Sequence, residues 1–283
     1  MMSGVNKSLT ADRRQFLTLT LAGAAALVAL PSWSAAIVTP ADGLTAGDVK
    51  VPIQGGEIAA YRAHPANGGP FPTVIVAHDE GGVSPQMQDV CRRLAKMGYF
   101  AICPYLFSRN GDVSKMDMMD VMAQVVSKLK DADILSDVDA TVDYAKKSGK
   151  ADIGKLGITG FSWGGRVVWL YAAHNPKLKA GVSWYGFLGP SRDPAGHSAL
   201  SLAASIKPAV LGLYAGKDDF IMGSDIDSMK LTLKGAKGNK CDIVTFPTAK
   251  HGFFADDKPT YDAATAADGW NRLGLWFKAN GVG

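Results

Sequence analysis

Ile153-Gly-Lys-Leu-Gly-Ile-Thr-Gly-Phe-Ser-Trp-Gly-Gly-Arg166 is the stretch of the chain that decides its fold. It contains a Gly-x-Ser-x-Gly pattern centred on Ser162. A β-prone run at 156–159 precedes the pattern and a helix-compatible run at 166–173 follows it, so Ser162 falls where a strand turns sharply into a helix. Such a turn strains its central residue and leaves no room for side chains beside it, which explains the glycines. We therefore predict that Ser162 is a nucleophile, against the alternative of an ordinary serine in a Gly-rich turn.

The segments around this turn predict a parallel α/β sheet. A buried strand at 73–78, a helix at 86–97 and a strand at 99–103 form a βαβ unit, which is typical of parallel pairing. An opening hairpin is predicted around Gly55 and Gly56, and a Met-rich amphipathic segment at 116–127. Further strands are predicted at 180–184, 208–214 and 242–246, and further helices at 134–147, 225–233 and 261–278. A polar loop through Arg192 and His197 could form part of a lid.

An acid and a base follow Ser162 in the chain. Asp218 comes just after the strand at 208–214, at the edge of a parallel sheet where ligands bind, and Asp219 is a close competitor. His251 follows the next strand, and the order Ser, Asp, His is the order of α/β-hydrolases. A neutral imidazole can take the serine proton, and a buried carboxylate fixes its tautomer. His78 also follows a strand but comes too early for this order.

Two backbone amides are expected to form an oxyanion hole beside Ser162. One is the N–H of Trp163, directly after the nucleophile. The other comes from the loop after the strand at 73–78, near Glu80.

The first 36 residues read as an export signal rather than as part of the fold. Arg13 and Arg14 precede an apolar run at 17–30, and the small residues at 34–36 suit cleavage, so the segment resembles a twin-arginine signal. This predicts a single domain at 37–283 and a periplasmic or secreted protein. The alternative is an uncleaved membrane anchor, although the apolar run is short for a span of about 20 residues.

The charge and cysteine content exclude several other classes of protein. The whole chain carries a net charge of +4, and no basic cluster suggests a nucleic acid or a membrane surface as partner once the signal is removed. Three cysteines, Cys91, Cys103 and Cys241, cannot all pair within one chain and are expected to be buried thiols.

Taken together, these motifs resemble the dienelactone hydrolase family of α/β-hydrolases over nearly the whole of residues 37–283. The segments that carry the resemblance are 78–82, 90–95, 98–99, 160–165, 214–221 and 251–253. The resemblance implies an α/β-hydrolase fold with helices on both faces of a mostly parallel sheet. It also implies hydrolysis of a small-molecule ester or lactone through a covalent intermediate, with no metal or organic cofactor, by a monomer or homodimer.

Three differences from the founding enzymes of that family bear on the substrate. They have cysteine where this chain has Ser162, which implies a serine esterase. Their glutamate near the nucleophile matches Asp79 here. Of their two substrate-binding arginines, one matches Arg109, which could equally be a solvated surface residue, and the other matches Ala255. A carboxylated lactone is therefore disfavoured, and we expect a more apolar acyl or aromatic group to contact a set of aromatic residues, namely Tyr105, Trp163, Phe253 and Phe254.

Two other functions remain open at this point. An acyl transferase or a peptidase can use the same scaffold, because a fold does not fix the acceptor. A binding protein that has lost turnover is the other alternative, although no member of the expected triad is missing.

Overall fold

The computed structural model describes residues 36–283, which form one compact unit. The predicted export signal, residues 1–36, therefore lies outside the described residues except for Ala36. The strands are β1 (Leu44–Ile53), β2 (Gly56–Pro65), β3 (Phe71–Ala77), β4 (Phe100–Pro104), β5 (Ala151–Phe161), β6 (Ala180–Trp184), β7 (Ala209–Lys217) and β8 (Asp242–Lys250). The longer helices are α1 (Pro85–Lys96), α2 (Asp131–Lys147), α3 (Trp163–His174), α4 (Gly223–Gly235) and α5 (Ala263–Ala279).

The eight strands form one sheet in the order β1-β2-β4-β3-β5-β6-β7-β8. Strands β3 to β8 run parallel to one another, and β1 and β2 add an antiparallel hairpin at one edge. The prediction of a mostly parallel α/β sheet is confirmed. Strands β4 and β6 are buried along their whole length, as their continuous apolar sequences require for a sheet covered on both faces.

The Met-rich amphipathic segment predicted at 116–127 contains three short helical turns. They are Met118–Asp120, a π-helical turn at Val121–Val125 and a 3₁₀ turn at Val126–Lys128. The valines of this segment point inward, whereas Met118 and Met119 are exposed. The valines, and not these two methionines, therefore form the apolar face of the segment.

Two features of the core follow the sequence closely. All three cysteines are buried thiols, as predicted, and none of them forms a disulfide. Burial raises the pKa of the Cys91 and Cys103 thiols, so neither is poised as a thiolate.

Candidate active site

The turn from β5 into α3 holds Ser162 in a strained conformation. Its φ is 51° and its ψ is −113°, in a region that L-residues other than glycine rarely adopt. A Cβ at Gly160 would overlap the carbonyl of Gly164, and a Cβ at Gly164 would overlap the carbonyl of Ala77 on β3. The glycines of the pattern are therefore needed for close backbone contact, and the strained turn presents the Ser162 side chain at the carboxyl edge of the sheet.

Ser162, His251 and Asp218 form one chain of hydrogen bonds. Ser162 Oγ lies 2.8 Å from His251 Nε2, and His251 Nδ1 lies 2.9 Å from Asp218 Oδ2. Backbone N–H groups of Phe220 and Ile221 donate to Asp218 Oδ1 at 2.9 and 3.0 Å and fix the carboxylate. The three side chains come from three strand ends that only the sheet brings together.

Asp219, the competing acid, is exposed. The Asp218 side chain is 1% exposed and carries the contact with His251. The geometry therefore favours Asp218 as the acid.

The side chain of Glu80, a residue predicted only for its backbone amide, also contacts Ser162. Glu80 Oε1 accepts a hydrogen bond from Ser162 Oγ at 2.7 Å, and Glu80 is buried. Asp79, the residue matched to the family's glutamate, instead accepts from the N–H of Gly81 at 2.8 Å and closes a tight turn. The assignment of that position to Asp79 is therefore wrong by one residue, because the turn at Gly81 sends successive side chains in different directions.

Burial raises the pKa of Asp79 to about 7, and the neighbouring charge of Glu80 adds to this shift. The N–H of Gly81 opposes the shift by stabilising the carboxylate. The loop beside Ser162 thus holds two adjacent carboxyl groups, and the raised pKa of Asp79 keeps part of this residue protonated at neutral pH.

His78, the other histidine after a strand, has a structural role in this loop. Its Nδ1 lies 2.7 Å from the carbonyl oxygen of Asp79, and its Nε2 accepts from the N–H of Leu106 at 3.0 Å. These partners require the proton on Nδ1 and a neutral ring. Burial lowers the pKa of His78 to about 4, which agrees with that state. His78 therefore fastens the loop to the chain after β4 and has no nitrogen left for Ser162.

The amides of Trp163 and Glu80 stay a prediction for the oxyanion hole, and the structure shows where these two residues lie in the chain. Trp163 is the first residue of α3, where an amide has no carbonyl of a preceding turn to bind. Glu80 lies in the loop after β3, with its side chain on Ser162 Oγ. The positive end of α3 adds to the attraction for a developing negative charge.

A cavity of about 350 Å³ adjoins these residues. Trp163, Phe187 and Phe220 line it, and the rings of Phe187 and Phe220 lie 5.8 and 5.0 Å from the ring of His251. Further lining side chains are mostly apolar, namely Met122, Val126, Leu129, Ile134, Leu188, Ile221 and Met222. The cavity therefore offers an apolar space, and two of its lining residues, Phe187 and Phe220, pack near the imidazole.

The cavity lining contains more aspartates than arginines, and its buried arginine is paired with one of the aspartates. Arg166 forms two hydrogen bonds with Asp131, at 2.8 and 2.7 Å, and a third with the carbonyl of His197. The lining contains Arg166 and Arg192 against three aspartates, Asp131, Asp193 and Asp225. The polar loop predicted as part of a lid thus contributes a wall of the cavity through Arg192.

The four residues predicted to bind substrate, Asp79, Tyr105, Arg109 and Phe253, are absent from this lining. Arg109 bonds Asp137 at 2.6 Å, outside the cavity. The hydroxyl of Tyr105 is used by the backbone of Gly111 and Val113. Phe253 is fully buried in the core.

These predictions do not match the structure, because distance along the chain from His251 or from β4 does not decide which way a side chain points. Phe254 and Ala255 are likewise buried. Phe187 and Phe220 take the place of Phe253 and Phe254 near His251. Sequence reasoning missed them, although both follow strands of the parallel sheet and Phe220 lies just after Asp218.

Within residues 36–283, no cluster of three or more His, Cys, Asp or Glu side chains is arranged to hold a metal ion. No helix in that range has the length and apolar character of a membrane span.

Solved structures and sequences of known proteins show the fold class and the family of this chain. A solved structure from Klebsiella pneumoniae, provisionally titled a dienelactone hydrolase, superposes with a TM-score of 0.80 at 41% identity, over 83% of this chain and 98% of that one. The fold is thus that of the dienelactone hydrolase-like α/β-hydrolases. A phosphotriesterase of dienelactone hydrolase type has the same fold, with a TM-score of 0.71 at 21% identity over 84% of this chain and 99% of its own.

Sequence comparison gives the family itself. A protein of Methylorubrum extorquens with the provisional name carboxymethylenebutenolidase is 50% identical over 96% of this chain and 94% of its own length. A protein of Escherichia coli with the same provisional name is 41% identical over 89% of this chain and 94% of its own. The model of the dienelactone hydrolase family matches residues 58–281. The chain belongs to the dienelactone hydrolase family and is a hydrolase.

Proposed function

We propose that this protein is a serine hydrolase that cleaves a carboxylic ester or lactone through Ser162, His251 and Asp218. The observation that carries the proposal is the continuous chain of hydrogen bonds from Ser162 Oγ to Asp218, built on a strained serine at the start of a helix. The provisional names of the relatives point to lactone hydrolysis as one form of this chemistry.

In the acylation step Ser162 Oγ attacks the acyl carbon while His251 Nε2 takes the hydroxyl proton. Asp218 keeps the Nδ1 proton in place and stabilises the imidazolium that forms. The carbonyl oxygen becomes an oxyanion, which the amides of Trp163 and Glu80 would stabilise. Collapse of the tetrahedral intermediate breaks the bond to the leaving oxygen, which receives the proton from His251.

Deacylation uses the same proton transfers with water as the nucleophile. The water oxygen attacks the acyl carbon while His251 takes a proton from the water, and His251 then returns that proton to Ser162 Oγ as the acid leaves. For a lactone the leaving oxygen stays attached to the acyl chain, so the product is a single hydroxy acid.

Glu80 sets a condition on the first step. A serine hydroxyl has one proton, and both Glu80 Oε1 and His251 Nε2 lie within hydrogen-bond distance of Ser162 Oγ. When the hydroxyl donates to Glu80, it cannot donate to His251. The reactive arrangement therefore requires the Ser162 hydroxyl to leave Glu80, as when the substrate displaces the Glu80 carboxylate.

The cavity supports a neutral, apolar acyl or alkoxy group as the bound part of the substrate. Its lining is mostly apolar, its buried cation Arg166 is neutralised by Asp131, and its aspartates outnumber its arginines. A substrate carboxylate would meet no buried, unpaired cation among these residues, and would pay a desolvation cost.

We also propose that residues 1–36 direct export, which would place the enzyme in the periplasm or outside the cell. The support is the sequence pattern of paired arginines, apolar run and small residues.

The deciding experiment is a burst measurement with p-nitrophenyl acetate and butyrate, beside the Ser162→Ala variant. A burst near one equivalent of p-nitrophenol, absent from the variant, is expected for an acyl-enzyme. Labelling by a fluorophosphonate should likewise be lost in Ser162→Ala. Labelling that persists in a folded variant would place the nucleophile elsewhere.

A further inference from the structure

The first described residues are fastened along helix α1 by buried charges. Asp89 of α1 accepts from the N–H and the hydroxyl of Thr39. Arg92, one turn further on, donates to the carbonyl oxygen of Thr39 at 2.9 Å. This stretch of chain therefore has a defined position against α1, although it belongs to no helix or strand.

The same cluster contains a buried carboxylate oxygen without a donor. Asp256 has a side chain that is 1% exposed, and its Oδ2 accepts from Arg93 Nη2 at 2.6 Å. No described residue gives its Oδ1 a hydrogen bond of normal geometry. Arg93 is shared, because its Nε also binds Asp89. A buried acceptor left without a donor costs free energy, so Asp256 has capacity for one further donor.

The chain that Thr39 fastens to α1 also brings the backbone N–H of Ile37 close enough to stabilise the Asp256 carboxylate. Burial raises the pKa of Asp256, and the N–H of Ile37 is among the groups that lower it. Ile37 is also the residue that directly follows the small residues Ser34, Ala35 and Ala36. Cleavage after the small residues would therefore free the backbone nitrogen of Ile37, which is the nitrogen that interacts with the Asp256 carboxylate.

We propose that export processing cuts the peptide bond between Ala36 and Ile37, and that the new α-ammonium group of Ile37 binds the buried Asp256 carboxylate. The cut is a hydrolysis by a signal peptidase: water adds across the bond, Ala36 leaves with a carboxylate, and Ile37 keeps an amine that takes up a proton. This inference rests on the proposed export, and is independent of the proposed catalytic step.

Cleavage converts the Ile37 amide, which has one N–H donor, into an ammonium group, which has a positive charge and three N–H donors. A charge-assisted hydrogen bond is about twice as strong as a neutral one, and the ammonium relieves the shared use of Arg93. Asp256 lies in the loop between His251 and helix α5. Processing would therefore stabilise the segment that carries the catalytic base, after the export signal has done its work.

The first test is the amino terminus of the exported protein. The full chain is expressed in a bacterium with twin-arginine export, and the periplasmic fraction is analysed by intact mass and amino-terminal sequencing. A chain that begins at Ile37 is expected. A protein that keeps residues 1–36, or that begins at another residue, would overturn the proposal.

The second test measures what the ammonium contributes. Chains beginning at Ala36, Ile37 and Val38 are released from a ubiquitin-like fusion, whose protease leaves any chosen first residue. We expect the chain beginning at Ile37 to have a Tm about 2–5 °C above that of the chain beginning at Ala36, where the charge is displaced by one peptide unit. Equal Tm values for the three chains would contradict an ammonium site.

Asp256→Asn is the matched control, because asparagine keeps the size of the side chain and loses the charge. The Tm difference between the Ile37 and Ala36 chains should disappear in this background, and a difference that persists would remove Asp256 from the explanation. Should Asp256→Asn fail to fold, acetylation of the Ile37 amine tests the same contact with every side chain intact. The acetylated chain is then expected to have the same Tm as the chain beginning at Ala36. A Tm equal to that of the unacetylated Ile37 chain would count against the proposal.

Discussion

Glu80 and His251 compete for the single proton of Ser162, since Glu80 Oε1 and His251 Nε2 lie 2.7 and 2.8 Å from its Oγ. The Ser162 hydroxyl therefore lies between two acceptors: His251, which promotes attack by taking the proton, and Glu80, which does not. The consequence is that the charge of Glu80 is expected to restrain reactivity.

Glu80→Gln tests this restraint. The amide group of glutamine can donate to Ser162 Oγ, which leaves the hydroxyl proton for His251. We expect the variant to react with a fluorophosphonate at pH 7 at least as fast as the unmodified enzyme, measured as a second-order rate constant. A loss of more than about tenfold would instead mean that Glu80 assists the proton transfer.

The identity of the acid is tested by a pair of adjacent substitutions. Asp218→Asn should lower kcat by about 10³–10⁴, because the amide can no longer hold the imidazole in the required tautomer. Asp219→Asn should change kcat by less than about threefold, since Asp219 is exposed. Steady-state kinetics with p-nitrophenyl butyrate give both values, and a reversed pattern would assign the role to Asp219.

The cavity predicts a preference for apolar acyl groups. Each methylene placed in it gains about 0.8 kcal/mol at most, so kcat/KM should rise from the acetate to the hexanoate ester. Met122→Trp narrows the cavity at its lining and should lower kcat/KM for the hexanoate about fivefold relative to the acetate.

Met119→Trp is the control for this effect, because Met119 is 67% exposed and is absent from the cavity lining. It should leave the ratio of the two esters unchanged. Equal effects of both substitutions would show that the bound acyl group lies elsewhere.

Replacing Asp79 by asparagine is expected to increase the free energy of unfolding above neutral pH. Its folded pKa of about 7 is raised from the usual 3.8, so the folded state loses stability as the pH rises through that range. Asp79→Asn can keep the bond from the Gly81 N–H and removes the carboxylate. The variant should be more stable than the unmodified protein by about 1–3 kcal/mol at pH 8, with no difference at pH 3.

Urea unfolding of the two proteins across this pH range measures the difference. His78 has the opposite sign: its folded pKa of about 4 lies below the usual 6.5, so its contribution is lost as the pH falls through that interval. The two slopes oppose each other between about pH 4 and 6.5 in the unmodified protein, which is why the comparison with Asp79→Asn is needed. A variant of unchanged stability at pH 8 would show that Asp79 is ionised at no cost.

The sequence alone determined the parallel sheet, the strained turn at Ser162 and the order in which Asp218 and His251 follow it. These features are local or periodic: glycines, β-branched runs and helical spacing act through nearest neighbours and through burial of a whole face. Because parallel strands end at the same edge, the positions of the three residues after β5, β7 and β8 already implied that they meet.

Only the tertiary structure decided which loop side chains face the nucleophile. The choice of Glu80 over Asp79 depends on one residue of register in a turn, and no periodicity specifies it. Arg109 is held by Asp137 and Phe253 is held by the core, while Phe187 and Phe220 reach His251. Loop side chains take their direction from long-range contacts, and those contacts exist only once the sheet has brought distant segments of the chain together.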